Sequence, residues 1–192
     1  EAKKSRYLDK LYLTSDDEEI ITVSRTFGCE APFVRPKELA KDDTPGIDPV
    51  LHLLKTIPET FDLMVLLQPT SPLREAGDID RCLEKCLELR APACVSLAPL
   101  DKHPAWMYDL NAESRLVPLF PEKAGLTGPA SKGFALNGAV YVADIRWVMQ
   151  SKTFTGPETV GVPMSRENSV DIDTEVDFEL AELLLSKRTG RK

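Results

Sequence analysis

The sequence predicts an α/β protein: a three-layer α/β/α arrangement on a mostly parallel sheet, interrupted by one inserted arm. Three observations carry this. Apolar runs of strand length alternate with segments whose apolar residues recur at helical spacing. Residues 63–67, Leu-Met-Val-Leu-Leu, are an unbroken apolar run, the pattern of a strand covered on both faces. Residues 101–132 abandon both periodicities for Pro, Gly and polar residues, and so read as an insertion rather than a core layer.

Taken in order, residues 11–14 are a short strand candidate that runs into the acidic turn Ser15-Asp16-Asp17-Glu18-Glu19. Ser15 or Asp16 can cap a helix reaching about Phe27, where Gly28 ends it. Residues 32–36 lie between two prolines and read as an extended loop. Val50, Leu53, Leu54 and Ile57 repeat with the period of a helix. After the strand at 63–67, Pro69 and Pro72 break the chain sharply. Ile79, Cys82, Leu83, Cys86 and Leu87 then share one side of a helix over 78–89. Further strands are expected at 93–97, at 140–142 and, shorter, at 169–173. The last helix starts near Glu175 and carries Phe178, Leu180, Ala181, Leu183 and Leu184.

A chain of 192 residues suits a single domain, and 42% hydrophobic residues suffice for its core. The net charge of −7, with no block of Lys or Arg, argues against a nucleic-acid partner. No apolar run approaches the roughly 18 residues that span a bilayer. Glu1-Ala-Lys-Lys has no apolar segment behind it, so no secretory signal is read and a cytoplasmic location is expected. Cys29, Cys82, Cys86 and Cys94 match no zinc spacing and read as small side chains in a reducing compartment.

Four segments carry candidate chemistry. Gln68-Pro69-Thr70-Ser71-Pro72-Leu73-Arg74 follows a strand, where open α/β sheets bind ligands. Gln68 can donate and accept, and Arg74 offers a fork for phosphate or carboxylate; a rigid turn with a solvated arginine is the plain alternative. In Ser169-Val170-Asp171-Ile172-Asp173, a strand would place both Asp carboxylates on one face. Two hard oxygen ligands there suit Mg²⁺, which takes one or two carboxylates alongside substrate phosphates. Thr174 would cap the last helix, with Asp177 reaching back to it. Asn137-Gly138 inside an apolar strand needs a partner for its amide, either a substrate or a backbone bulge that the amide stitches. Arg35 to Thr44 runs from a loop into a helix, where an anion or a cap could be held. His52 reads as a core or edge residue, and His103 sits in the arm.

Together these segments resemble the acylneuraminate cytidylyltransferases, the CMP-sialic acid synthetases. The likeness is carried by Leu66 through Arg74, by Val34-Arg35-Pro36 with Asp42-Asp43-Thr44, by Asn137 through Tyr141, and by Val170 through Asp177. It implies a nucleotide-diphosphosugar-transferase fold and a reaction of CTP with a sialic-type nonulosonic acid. By that resemblance Arg35 and Thr44 contact the nucleotide. Gln68 lies between nucleotide and sugar, Asn137 and Phe134 line the sugar pocket, and Asp171 and Asp173 hold Mg²⁺. Asp171, Asp173 and Gln68 are then the catalytic set. The arm, residues 101–132, resembles the segment through which such enzymes pair as homodimers, with Trp106, Met107, Tyr108, Leu119 and Phe120 as anchors.

Three departures stand beside the likeness. The family's opening phosphate loop, of the form Pro-Ala-Arg-x-Gly-Ser-Lys, has no counterpart here, so about 30–40 residues, one strand–loop–helix unit, are expected to be absent from a longer enzyme. Family arginines fall at Ala135 and near Thr127, for which Lys132 or Arg115 would have to compensate. Trp106 stands where some sialic-acid enzymes place Lys. These changes leave the sugar open. The rival readings are a transferase of the same fold for another sugar, a catalytically silent homologue that only binds, and a generic α/β binding protein.

Overall fold

The central sheet is built from β1 (Leu63–Leu66), β5 (Phe134–Asp144), β2 (Ala93–Pro99) and β6 (Val160–Pro163), side by side in that order. They belong to a computed structural model that describes residues 1–121 and 133–190. β5 runs antiparallel to both β1 and β2, whereas β6 is parallel to β2. Three strands therefore share a direction, but the sheet is mixed, and the parallel pairing expected for most of it is confined to β2 and β6. The reason lies in the arm. β2 leaves the sheet at Pro99 and β5 re-enters paired opposite it at Phe134, so the arm closes one long hairpin and its return strand must run back.

Alternation along the strands feeds two cores. Cys94, Val140 and Val142 point to one face, where Ile79, Cys82, Leu83 and Cys86 of α3 (Ala76–Leu89) cover them. Ala93, Val95 and Ala143 point to the other, against Val50 of α2 (Ile47–Thr56), Val148 of α4 (Ile145–Ser151) and Phe154. Ile79 is 0% exposed at the centre of the first core. Ile79→Ala is expected to lower stability by about 2–5 kcal/mol, read as a drop in the urea midpoint at constant slope. All four cysteines are free, and burial pushes the Cys86 thiol up to about 11.

Helix ends follow side-chain chemistry. α1 (Glu18–Thr26) is capped by Asp17, not by Ser15 or Asp16: the Asp17 carboxylate accepts from the Glu19 and Ile20 N–H groups. α5 (Glu175–Thr189) opens with the expected box, Thr174 and Asp177 satisfying each other's backbone N–H. The strand expected at 11–14 shrinks to one bridge, Tyr12 to Glu30. The arm holds a small hairpin of β3 (Tyr108–Leu110) and β4 (Leu116–Pro118). Thr127 and Lys132 lie outside the described residues. Among the described residues no helix is long and apolar enough to cross a membrane.

Candidate active site

The loop leaving β1 is fixed before any ligand arrives. Ser71 N–H donates to the Gln68 carbonyl (3.3 Å), and Arg74 Nη1 donates to that carbonyl (3.2 Å) and to the Ala139 carbonyl (2.7 Å). Arg74 is therefore neither the open anion fork nor the solvated side chain that its sequence position suggests. It is partly buried, burial holds its pKa down, and it staples the loop to β5. An arginine so placed bridges two carbonyl oxygens, one of which the Ser71 N–H also reaches.

β5 bulges opposite that staple. Its register against β2 shifts between Val95 and Leu97, and Gly138 takes a positive φ of 72°. Asn137 is 5% exposed, and its amide is spent on the bulge. Oδ1 accepts from Ser96 Oγ (2.6 Å) and from the Ala139 N–H (3.2 Å). Nδ2 donates to Ser169 Oγ (2.9 Å) and to Met164 Sδ (3.4 Å). Of the two roles open to this side chain, the geometry gives it the stitching one, with no donor left to face a sugar. Asn137→Ala is expected to cost about 1–3 kcal/mol, because Ser96 and Ser169 would lose their buried partner. A thermal melt measures it.

The third segment arrives from the C-terminal side. It is not the strand expected over 169–173. A 3-10 turn at Glu167–Ser169 curls the chain, helped by Ser169 Oγ donating to the Ser165 carbonyl (2.7 Å), and an irregular stretch follows. Ile172 N–H then donates to the Thr70 carbonyl (2.8 Å), tying this stretch to the β1 loop. Without a strand, the argument that Asp171 and Asp173 share a face by alternation lapses. Asp171 is partly buried, whereas Asp173 is exposed, its N–H donating to Asp177 Oδ2 (3.3 Å).

Gly138 is where the three segments meet. A Cβ there would fall inside van der Waals contact of Gln68 Oε1 and 3.2 Å from Asp171 Oδ2. Only a residue without a side chain lets Gln68 and Asp171 close over this point. Asp171 Oδ1 is buried with no hydrogen-bond partner. Burial, and secondarily the charge of Asp171, push the Tyr141 phenol upward, so this ring stays protonated beside the carboxylate. Among the described residues no three His, Cys, Asp or Glu side chains are grouped to hold a metal unaided. A carboxylate with one oxygen buried and unpartnered, its other oxygen converging with an amide oxygen at Gly138, nevertheless fits Mg²⁺, a hard ion that takes one or two carboxylates and completes its shell from phosphate and water.

The nucleotide candidates stand apart from this cluster. Arg35 pairs with Asp16 (3.0 Å), which holds that carboxyl below its usual range, and Arg35 Nε is buried without a partner. Thr14 Oγ1 is likewise buried and unpartnered. No sequence signal marked Thr14, since a hydroxyl in a short strand is unremarkable. Thr44 Oγ1 donates to the Glu38 carbonyl (3.4 Å). Among the described residues no hydrogen bond or ion pair joins Arg35 or Thr44 to Gln68 or Asp171. Phe134, at the start of β5, is 49% exposed, and Ala135 pairs with Ala98. Arg115 lies where β4 begins, its N–H held by Asn111 Oδ1 (2.9 Å). His52 is half-buried, and its ring packs edge-on against Phe33 with centres 4.7 Å apart.

Solved structures similar in fold include a synthetase and a synthase. A CMP:2-keto-3-deoxy-manno-octonic acid synthetase complexed with CTP aligns with a TM-score of 0.68 over 97% of this chain and 85% of its own, at 14% identity. A 4-diphosphocytidyl-2C-methyl-D-erythritol synthase from Anaerococcus prevotii aligns with a TM-score of 0.67 over 96% and 84%, at 12% identity. At such identity they establish the fold alone. Among curated proteins, a CMP-N,N'-diacetyllegionaminic acid synthase of Legionella pneumophila is 28% identical over 189 residues, covering 96% of this chain and 81% of the relative. A pseudaminic acid cytidylyltransferase of Campylobacter jejuni is 29% identical over 189 residues, 95% and 81%. An N-acylneuraminate cytidylyltransferase of Escherichia coli is 28% identical over 192 residues, 100% of this chain and 45% of the relative, so the chain spans less than half of that protein's length. No family model matches. The class is a nucleotidyltransferase of α/β architecture. Within it, the chain is similar over nearly its full length to the legionaminic, pseudaminic and N-acylneuraminate cytidylyltransferases.

Proposed function

We propose that the chain transfers CMP from CTP to the anomeric hydroxyl of a sialic-type nonulosonic acid. The single observation that carries this reading is the closure of Gln68 and Asp171 over Gly138, with a buried Asp171 oxygen left unpartnered. In the reaction the sugar oxygen bonds to the α-phosphorus, the bond from that phosphorus to the α–β bridging oxygen breaks, pyrophosphate leaves with the electron pair, and the hydroxyl proton passes to solvent. Asp171, joined by Asp173, would hold Mg²⁺, which supplies neutralisation of triphosphate charge when bound. Gln68 orients the groups on either side of the transferring phosphorus by donating through Nε2 and accepting through Oε1. The free donor of Arg35 and the hydroxyl of Thr44 serve the nucleotide. Phe134 offers an apolar wall on the sugar side, and Asn137 serves that side indirectly by shaping the bulge. A cytoplasmic setting, where CTP is supplied, goes with this reading.

The test is pyrophosphate release by the full chain from CTP and Mg²⁺, offered N-acetylneuraminate, a legionaminic-type acid and a pseudaminic-type acid in turn. Release that requires one of the acids is the expected result. CTP binding without release for any acid would make the chain a binding module instead.

The same reading pairs the chain with a second copy through the arm. Supporting it, Trp106, Leu110 and Leu116 are 62%, 62% and 66% exposed, an apolar surface that water disfavours. Sedimentation equilibrium of the full chain should give twice the monomer mass, shifted toward monomer by Leu116→Glu; a wild-type monomer at all concentrations contradicts the pairing.

A further inference from the structure

We propose that Asn168, Arg188 and the buried carboxylate of Asp78 form a latch that holds Asp171 at the site, making them positioning residues for metal binding. The proposal rests on the cytidylyl-transfer reading above and adds to it the device that presents the carboxylate. Asp171 Oδ1 makes no hydrogen bond of its own, so its placement comes from how its neighbours in the chain are tied down.

On one side Ile172 is bound to Thr70. On the other, Asn168 Nδ2 donates to Asp78 Oδ2 (2.8 Å), while Asn168 Oδ1 accepts from Arg188 Nη2 (2.6 Å). Arg188 reaches on from the last turn of α5, its Nη1 donating to the Leu73 carbonyl (2.8 Å). Asp78 is 1% exposed at the first turn of α3, and its carboxylate also accepts from the Glu75 N–H (2.9 Å) and from Arg81. The circuit closes. The loop that carries Gln68, the start of α3, the turn before Asp171 and the end of α5 are bound to one another.

The chemistry of Asn168 suits this task. A buried carboxylate demands donors, and the guanidinium opposite demands an acceptor; an amide supplies one of each. An aspartate there would keep Arg188 but face Asp78 with like charge. An alanine would satisfy neither side and release the turn three residues before Asp171. Groups that orient a metal ligand from behind typically contribute 10- to 100-fold in metal affinity.

The probe is Mn²⁺, titrated into the full chain with CTP present and followed by electron paramagnetic resonance, a readout that needs no turnover. Asn168→Ala and Arg188→Ala are each expected to raise the Mn²⁺ Kd about 10- to 100-fold. The double variant should be no weaker than the worse single one, because both break one circuit. In turnover, the half-saturating Mg²⁺ should rise while the rate at saturating Mg²⁺ stays near wild type. A global structural defect would not divide in that way. If Asn168→Ala fails to fold, Arg188→Ala, whose side chain is partly exposed, carries the test alone. Wild-type Kd values in folded latch variants, with Asp171→Asn still weakening Mn²⁺, overturn the latch and leave the reaction standing. Mn²⁺ binding that ignores Asp171→Asn overturns the reaction reading, and the latch with it.

Discussion

Gly138→Ala is expected to leave a folded protein whose turnover falls on the order of 100-fold, the scale attached to misplacing a reacting group by about 1 Å. Two costs add at this position. The backbone sits at φ +72°, a left-handed conformation that costs a residue with a Cβ roughly 1–2 kcal/mol. The new methyl would also press on Gln68 Oε1 and approach Asp171 Oδ2, the two groups that must converge. Both are at the ends of side chains and can retreat, so most of the damage should fall on geometry and less on stability. Chemical denaturation together with steady-state kinetics separates the two. A variant with wild-type kinetics would show that Gln68 and Asp171 need not meet at this point.

Asp171→Asn should have the larger effect. The replacement is nearly isosteric, so packing and the Ile172–Thr70 bond persist, while one negative charge and one carboxylate oxygen proposed to hold Mg²⁺ are lost. Charge neutralisation by a bound metal is worth several kcal/mol in transfers of this kind, so turnover should fall by about 10³-fold or more. The same substitution at Asp173, which is exposed, should weaken Mg²⁺ dependence less severely. Activity in Asp173→Asn with unchanged Mg²⁺ dependence would remove Asp173 from the proposed metal site.

The layered fold was legible because strands between two helix layers leave apolar runs and one helix face repeats cleanly, as α3 shows. Residues 63–67, expected as a fully covered strand inside a parallel sheet, are instead half-buried, and β1 lies at the sheet edge, paired antiparallel with β5. The direction of β5 was not legible. Periodicity reports which face a residue occupies, not which way its strand runs, and only the pairing of Pro99 with Phe134 decides it. β6 and α4 were missed for a related reason: four residues that include Gly161 and Pro163, and seven residues after a lone Asp144 cap, fall below the length at which a pattern emerges.

At the site, residue types were legible and their orientations were not. Gln68 and Asp171 stand out as polar groups next to apolar runs, and the structure joins them. Arg74 and Asn137 stand out for the same reason, yet both turn inward, because a bulged strand and a two-proline loop leave backbone groups that need side-chain partners. A sequence marks a polar side chain as having a task. It does not say whether that task faces the ligand or the backbone. The latch at Asn168 was invisible for a further reason, since its members Asp78, Asn168 and Arg188 are far apart in the chain and meet only once α5 has docked.

The most direct measurement is anomalous diffraction from a crystal of the full chain grown with CTP and Mn²⁺. The proposed centre predicts a single strong peak about 2.1 Å from an Asp171 carboxylate oxygen, with a triphosphate oxygen completing the contact. A peak held elsewhere, with the Asp171 carboxylate still unliganded over Gly138, would contradict it.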